Sequence, residues 1–188
     1  QRTETVKVTI SPHLTHLLRQ QLGCEAREIP YAIDHEVMFP GPARPPSGPV
    51  RVGLVGPWDV CWKDLRTGWQ ACALAQRAGL DLVVVRATNT VLSPEERAAP
   101  FPVEAHVQVV PSRMGELYRS LDVFVGSSWG IEEGFFLPAV EAMACGVPCV
   151  LTDIPCHRGY GDRPYALFAP PRDPLALAEA LVVAAKHA

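Results

Sequence analysis

The chain has 188 residues, 17 basic and 20 acidic side chains, and a formal charge of -3. Its length fits one domain, and a chain of this size buries about 70% of its unfolded surface, enough for a core without staples. A composition of 48% hydrophobic and 20% charged residues excludes a disordered chain or a fibre. The acidic balance argues against nucleic acid, which calls for a basic excess or stripe, and no apolar run approaches the roughly 18 residues of a membrane span.

Read in order, strands and helices alternate. Residues 6–10 form a short apolar strand, and Ser11-Pro12 reads as an N-cap followed by Pro in the first turn of a helix that Gly23 ends. A brief strand covers residues 27–30. Pro and Gly crowd together over residues 40–49 (PGPARPPSGP), a linker-like loop. Residues 50–56 (VRVGLVG) form a buried strand, residues 65–78 a helix stopped by Gly79, and residues 80–85 (LDLVVV) an apolar run suited to a parallel strand covered on both faces. A capped turn at Ser93–Glu96 interrupts an irregular stretch. Strands follow at 106–110, 121–125, 147–151 and 165–168, and helices at 113–120, 138–145 and 174–187. This alternation predicts an α/β fold, a Rossmann-like parallel sheet with helices on both faces. Ligands bind such sheets beyond the carboxyl ends of the strands, so the loops after Val55, Val110, Val125 and Leu151 are the ones to examine.

The six cysteines show no CxxC and no zinc spacing. They read as reduced thiols in or near a core, which points to the cytoplasm. His13 and His16 have helical spacing without a third ligand, and read as a solvated face with no metal site. Lysine is rare, with only Lys7, Lys63 and Lys186, which draws attention to Lys63 beyond the first long strand.

The loop after Val125 is the most informative segment: GSSWGIEEGFFLPAVEAMACGVPCVLTD. Pro138 can open a helix, which puts Glu141 about one turn in while Glu133 stays on the loop. The amides of residues 134–137, 139 and 140 lack helical partners there, and a helix N-terminus suits a phosphate. Two acceptor-only carboxylates beside it suit sugar or ribose hydroxyls. The plainer reading makes Glu132 and Glu133 an acidic surface loop, Glu141 an early-helix carboxylate, Lys63 a solvated cation, Trp58, Trp62 and Trp69 packing groups, and Tyr118 core.

This segment resembles the donor signature of the retaining GT-B glycosyltransferases of family 4 (glycosyltransferases group 1): EGFGLP, then EAMA, Gly and Pro, with two Glu separated by seven residues. Here it is Glu133-Gly134-Phe135-Phe136-Leu137-Pro138 and then Glu141-Ala142-Met143-Ala144-Cys145-Gly146-Val147-Pro148. Ile29–Asp34 with Phe39-Pro40, Val52–Gly56 with Lys63, Leu117-Tyr118 with Asp122-Val123, and Ala169–Leu181 resemble further family elements. The resemblance implies the C-terminal half of a GT-B fold, and an enzyme of hexosyltransferase type that moves a sugar from a nucleoside diphosphate donor to an acceptor hydroxyl. The donor is a co-substrate, and no cofactor or metal is implied. Glu133 and Lys63 become the catalytic groups: Glu133 holds sugar hydroxyls and Lys63 neutralises the leaving diphosphate. Glu141 takes the ribose, Gly134, Phe135, Phe136 and Leu137 meet diphosphate or sugar, and Val110, Met114 and Leu117 line the base.

Three departures stand out. Gly56 is followed by Pro57-Trp58 where the family carries an Arg, which leaves Arg66 as the nearest substitute. Phe136 replaces a Gly, and therefore either adopts ordinary dihedrals or narrows the donor pocket. The strand Leu82–Arg86 ends in RATN instead of a Gly pair.

The resemblance also predicts that residues 1–10 are the tail of a preceding domain or a crossover strand, and that residues 11–188 are the nucleotide-sugar-binding domain. The N-terminal acceptor domain, this chain's partner, lies outside it. The fragment is then expected to bind donor weakly, to be inactive alone, and to be cytoplasmic or peripheral at the inner membrane face as part of a full-length enzyme. A degenerate binding or interaction module is the alternative. Gly126–Gly130 also matches G-x-S-x-G, which would make Ser128 a hydrolase nucleophile with Asp153 and His157 or His187. However, the helix pattern starts only at Pro138.

Overall fold

The computed structural model describes residues 5–42, 48–161 and 164–187. Residues 43–47 of the predicted Pro-rich loop lie outside these, as do residues 1–4 of the predicted tail.

Six parallel strands form the central sheet: β3 (Val50–Val55), β4 (Leu82–Thr88), β5 (Val103–Val107), β6 (Val123–Gly126), β7 (Cys149–Thr152) and β8 (Ala166–Ala169). Their order across the sheet is β5-β4-β3-β6-β7-β8. The chain thus runs outward from β3 to one edge, then returns to β6, which pairs with β3 through Val52–Val123 and Gly53–Phe124. That reversal makes β3 and β6 the topological switch, where the two flanking loops diverge and leave a crevice.

Buried apolar strands demand cover on both faces. On one face, Val52, Leu54 and Val84 pack against Ala71 and Cys72 of α2 (Leu65–Arg77) and Leu177 and Leu181 of α7 (Pro174–Ala185). On the other, Val85, Phe124 and Leu151 pack against Leu117 and Tyr118 of α4 (Pro111–Arg119) and Ala139 and Ala142 of α5 (Leu137–Ala144).

The strand expected at 106–110 runs instead over Val103–Val107, and it stops before Gln108, which takes a left-handed φ of 55°. The capped turn at Ser93 is a helical turn, α3 (Pro94–Arg97), closed by a reciprocal Ser93–Glu96 capping box. A second short helix, α6 (Pro155–Arg158), is too brief to leave a periodic signal in the sequence.

The N-terminal elements form a separate small sheet, in which β1 (Val8–Thr9) pairs parallel with β2 (Arg27–Glu28) around α1 (Pro12–Leu22). Ser11 caps α1 through the Leu14 amide, and Gly23 ends it at φ 58°. This unit touches the loop after β6: the His13 Nε2 donates to the Ile131 carbonyl at 3.1 Å, so His13 is not on a wholly solvated face. Leu14 lies against Gly134, where a Cβ would come within 2.9 Å of its Cδ1.

Candidate functional site

After β3 the chain makes a 3-10 turn, Cys61–Lys63, and Asp64 then caps α2 from a left-handed conformation, with its carboxylate 2.7 Å from the Thr67 hydroxyl. The turn is tied to the loop after β6. The Trp129 amide donates to the Trp62 carbonyl at 2.8 Å, its indole donates to the Cys61 carbonyl at 2.9 Å, and the Ser127 hydroxyl donates to the Lys63 carbonyl at 3.3 Å. These bonds aim Lys63 across the strand switch. Its ammonium lies 2.7 Å from Glu133 Oε2, an oxygen that also accepts the Ser128 hydroxyl at 2.9 Å. Glu133 is only 4% exposed, and a carboxylate so buried needs both partners. The Lys63 ammonium also sits 4.7 Å from the centre of the Phe136 ring.

Glu141 lies apart from this pair, on a cavity of about 320 Å³ at the carboxyl ends of β3 and β4. Val55, Gly56, Ala87, Thr88, Met114 and Pro138 are among the lining residues. Its Oε2 accepts the hydroxyl of Tyr118 at 2.7 Å. Burial pushes the Glu141 carboxyl above its usual range, and the Tyr118 bond works against that rise.

Phe136 keeps ordinary dihedrals, φ -91° and ψ 81°. Its ring is buried between Phe124 and His157, at centroid distances of 6.0 and 5.4 Å. Several amides expected to be open have partners. The Phe136 amide donates to the Tyr160 hydroxyl at 3.2 Å, the Leu137 amide to the Phe135 carbonyl, and the Ala139 amide to the Phe136 carbonyl, both at 3.2 Å. The chain enters α5 through a tight turn that consumes its own donors. Gly134 and Phe135 face the N-terminal unit, with the Phe135 ring 5.5 Å from those of both Tyr31 and Tyr160.

Of the three predicted base-lining residues, only Met114 joins Glu141 on the cavity. Val110 and Leu117 line a neighbouring hollow of about 420 Å³ with Arg51, Glu104 and Arg113. Val109 borders both, because the chain crosses the ridge between the hollows there. Arg66 does not replace the missing Arg. Its guanidinium bonds Glu95 at 3.0 Å and lies 5.0 Å from the Trp58 ring centre.

Three residues take supporting roles that the sequence does not assign to them. Arg86 of β4 is fully buried, pairs with Glu96 at 2.7 Å and donates to the Leu54 and Ala87 carbonyls, which clamps the strand ends that floor the cavity. An Arg inside an apolar strand followed by a capping-box Glu was the available signal. Tyr160 holds the Phe136 backbone from the turn after α6, and its hydroxyl also lies 3.3 Å from the Phe136 carbonyl. His157 donates from Nδ1 to the Thr152 carbonyl at 2.8 Å, and burial pushes its pKa down to about 4, so the ring is neutral at pH 7.

The hydrolase arrangement is not formed. Ser128 is fully buried and donates to Glu133, Asp153 is held by Arg158 at 2.6 Å, and His157 is committed to Thr152. All six cysteines are free thiols. Among the described residues no group of three or more His, Cys, Asp or Glu is placed to hold a metal, and no helix is long and apolar enough to cross a membrane.

The sequence matches the profile of the family described as Glycosyl transferases group 1 over residues 49–187. No curated protein is significantly similar to it in sequence. Several solved structures share the fold. An Anabaena protein, Alr3699/HepE, solved with UDP and glucose, matches 97% of this chain and 54% of its own, with a TM-score of 0.76 and 16% identity. Sucrose-phosphate synthase from Thermosynechococcus elongatus matches 93% of this chain and 47% of its own, with a TM-score of 0.72 and 21% identity. The C-terminal domain of the glycosyl transferase group 1 family protein LpcC from Francisella tularensis matches 81% of this chain and 87% of that domain, with a TM-score of 0.63 and 19% identity. The chain therefore spans about half the length of the first two proteins.

Proposed function

The chain belongs to the glycosyl transferases group 1 family (GT4), and on that premise we propose that it is the donor-binding domain of a retaining enzyme that moves a hexose from a nucleoside diphosphate to an acceptor hydroxyl. The observation that carries this reading is the Lys63–Glu133 pair, drawn across the strand switch beside a cavity that holds Glu141.

The chemistry follows from what each group can offer. The Lys63 ammonium has three donors and spends one on Glu133, so it can also meet the diphosphate and offset the charge that grows as the sugar leaves. Glu133, an acceptor with a second oxygen to spare, holds sugar hydroxyls. Glu141 takes the ribose hydroxyls, and the cavity around Met114 and Val109 takes the base. HepE, solved with UDP-glucose and with UDP and glucose, supports this class of ligand. The acceptor site and turnover then belong to an N-terminal domain of the same enzyme, and the free thiols suit a reducing, cytoplasmic setting.

A second reading, a degenerate module that binds a sugar nucleotide or a protein without catalysis, draws on two observations: Arg66 is engaged with Glu95, and the Phe136 amide is taken by Tyr160. Calorimetry against UDP-, GDP- and ADP-sugars separates the two. Selective binding that falls at least tenfold in Glu141→Ala supports the donor domain. A folded chain that binds none of them favours the module.

A further inference from the structure

We propose that Tyr118 is a positioning residue for Glu141, fixing the carboxylate in its ionised, nucleotide-ready state from behind the cavity. This rests on the reading of Glu141 as the ribose acceptor, and it adds a residue that the signature motif does not contain.

The geometry starts in the core. Tyr118 is fully buried on α4, and its ring meets that of Phe124 edge-on at 6.1 Å. A ring packed on this scale cannot follow a wandering partner, so its hydroxyl is a fixed donor. That hydroxyl ends 2.7 Å from Glu141 Oε2. Glu141 therefore carries one oxygen anchored to the protein while its side chain borders the 320 Å³ cavity. A carboxylate that must accept two neighbouring hydroxyls works best when its plane is set beforehand, because the ligand then does not have to order it.

The surroundings make the same bond matter for charge. Among the described residues no cation is placed on Glu141. Arg119, one residue after Tyr118, donates to the Val37 and Phe39 carbonyls instead. Cys145, which caps α5, and Cys149 on β7 are the other titratable groups at this contact, and burial raises both thiols, so they stay neutral and add no negative charge beside the carboxylate. Burial and the neighbouring carboxylate also push the Tyr118 phenol well above its ordinary value, so the shared proton stays on tyrosine across the working range. Within this contact, the Tyr118 hydroxyl is what opposes the upward push of burial on Glu141.

The experiment compares the wild-type chain with Tyr118→Phe, which removes one oxygen and leaves the ring. Carbon-detected NMR titration of the Glu141 carboxyl in the ligand-free proteins reads the first effect. Its midpoint should move up by about one pH unit in the variant, the size expected when a hydrogen bond to the charged form is lost. Calorimetry with UDP, GDP and ADP between pH 5 and 8 reads the second. The acid limb of binding should move up by the same amount in Tyr118→Phe, and it should vanish in Glu141→Gln and in the double variant alike. Superimposable titrations and binding profiles in wild type and Tyr118→Phe overturn the proposal. A shifted NMR midpoint with no nucleotide bound by any variant would retain the Tyr118–Glu141 coupling but overturn the ribose role. If Tyr118→Phe weakens binding equally at every pH, its role is structural and the proposal also fails.

Discussion

Glu133 and Glu141 have seven residues between them in the chain and are both largely withdrawn from water, yet the protein treats them in opposite ways. Glu133 receives a cation and a hydroxyl on the same oxygen, at 2.7 and 2.9 Å. Glu141 receives, among the described residues, a neutral phenol, and burial raises its pKa. The first is paired with an opposite charge. The second is held by hydrogen bonding alone, in surroundings that resist its ionisation. A carboxylate meant to sit beside a diphosphate needs a cation that the ligand can also use. One meant to grip a neutral diol gains from an undamped negative charge, and a neighbouring lysine would only screen it.

The comparison can be broken from the Glu133 side first. Lys63→Met should lower unfolding free energy by about 3 kcal/mol at pH 7, since it strands a buried carboxylate with Ser128 alone. Urea denaturation measures this, and a loss below about 1 kcal/mol would mean that the pair is not needed to bury Glu133. The next effect tests the wall behind Phe136. His157 has a folded pKa of about 4 against 6.5 for the free side chain. Its contribution is complete above pH 6.5 and is lost as the pH falls toward 4, because the unfolded chain binds the proton first. The swing amounts to about 3 kcal/mol at most, and His157→Leu should flatten that limb of the stability–pH curve.

On the Glu141 side the sign reverses. A raised folded carboxyl pKa gives stability that is present below about pH 4.5 and lost as the pH rises through the folded value. Glu141→Gln should therefore stabilise the chain at pH 7 by about 0.5 to 1 kcal/mol, at the low end of stabilising single replacements, while it weakens nucleotide binding at least tenfold. A destabilised Glu141→Gln would erase the contrast between the two sites. The smallest effect is Tyr160→Phe, which removes the hydroxyl on the Phe136 amide at a cost of about 0.5 to 1 kcal/mol. Thermal melting detects the loss, and unchanged melting would show that the turn into α5 holds without the latch.

The inner strands β3, β4, β6 and β7 announced themselves because parallel strands covered on both faces must be apolar almost throughout, and α1 carried its caps in plain view at Ser11 and Gly23. The strand edges were harder. β5 stops before a left-handed residue, Gln108, whose conformation has no sequence signature. The second carboxylate and its helix were legible through the motif. The company each group keeps was not, since Lys63 meets Glu133 across 70 residues and Tyr118 meets Glu141 across 23. Separations like these are decided by strand order, and the alternating pattern alone does not fix which strand lies beside which. The amides at 136, 137 and 139 were misread for a local reason: the turn that precedes Pro138 closes on itself and on Tyr160.

The Phe136 ring also has a counterpart on β6. A Cβ built on Gly126 would lie 2.8 Å from the Phe136 Cε1 and 2.8 Å from a Leu151 methyl. Positions 126 and 136 therefore share a single parcel of space between strand and loop. Phe136 from the loop and Leu151 from β7 both fill it, so a larger residue at 126 would need both side chains to give way. A change at 126 alone would be felt ten residues away, at the backbone that leads into the Glu141 helix.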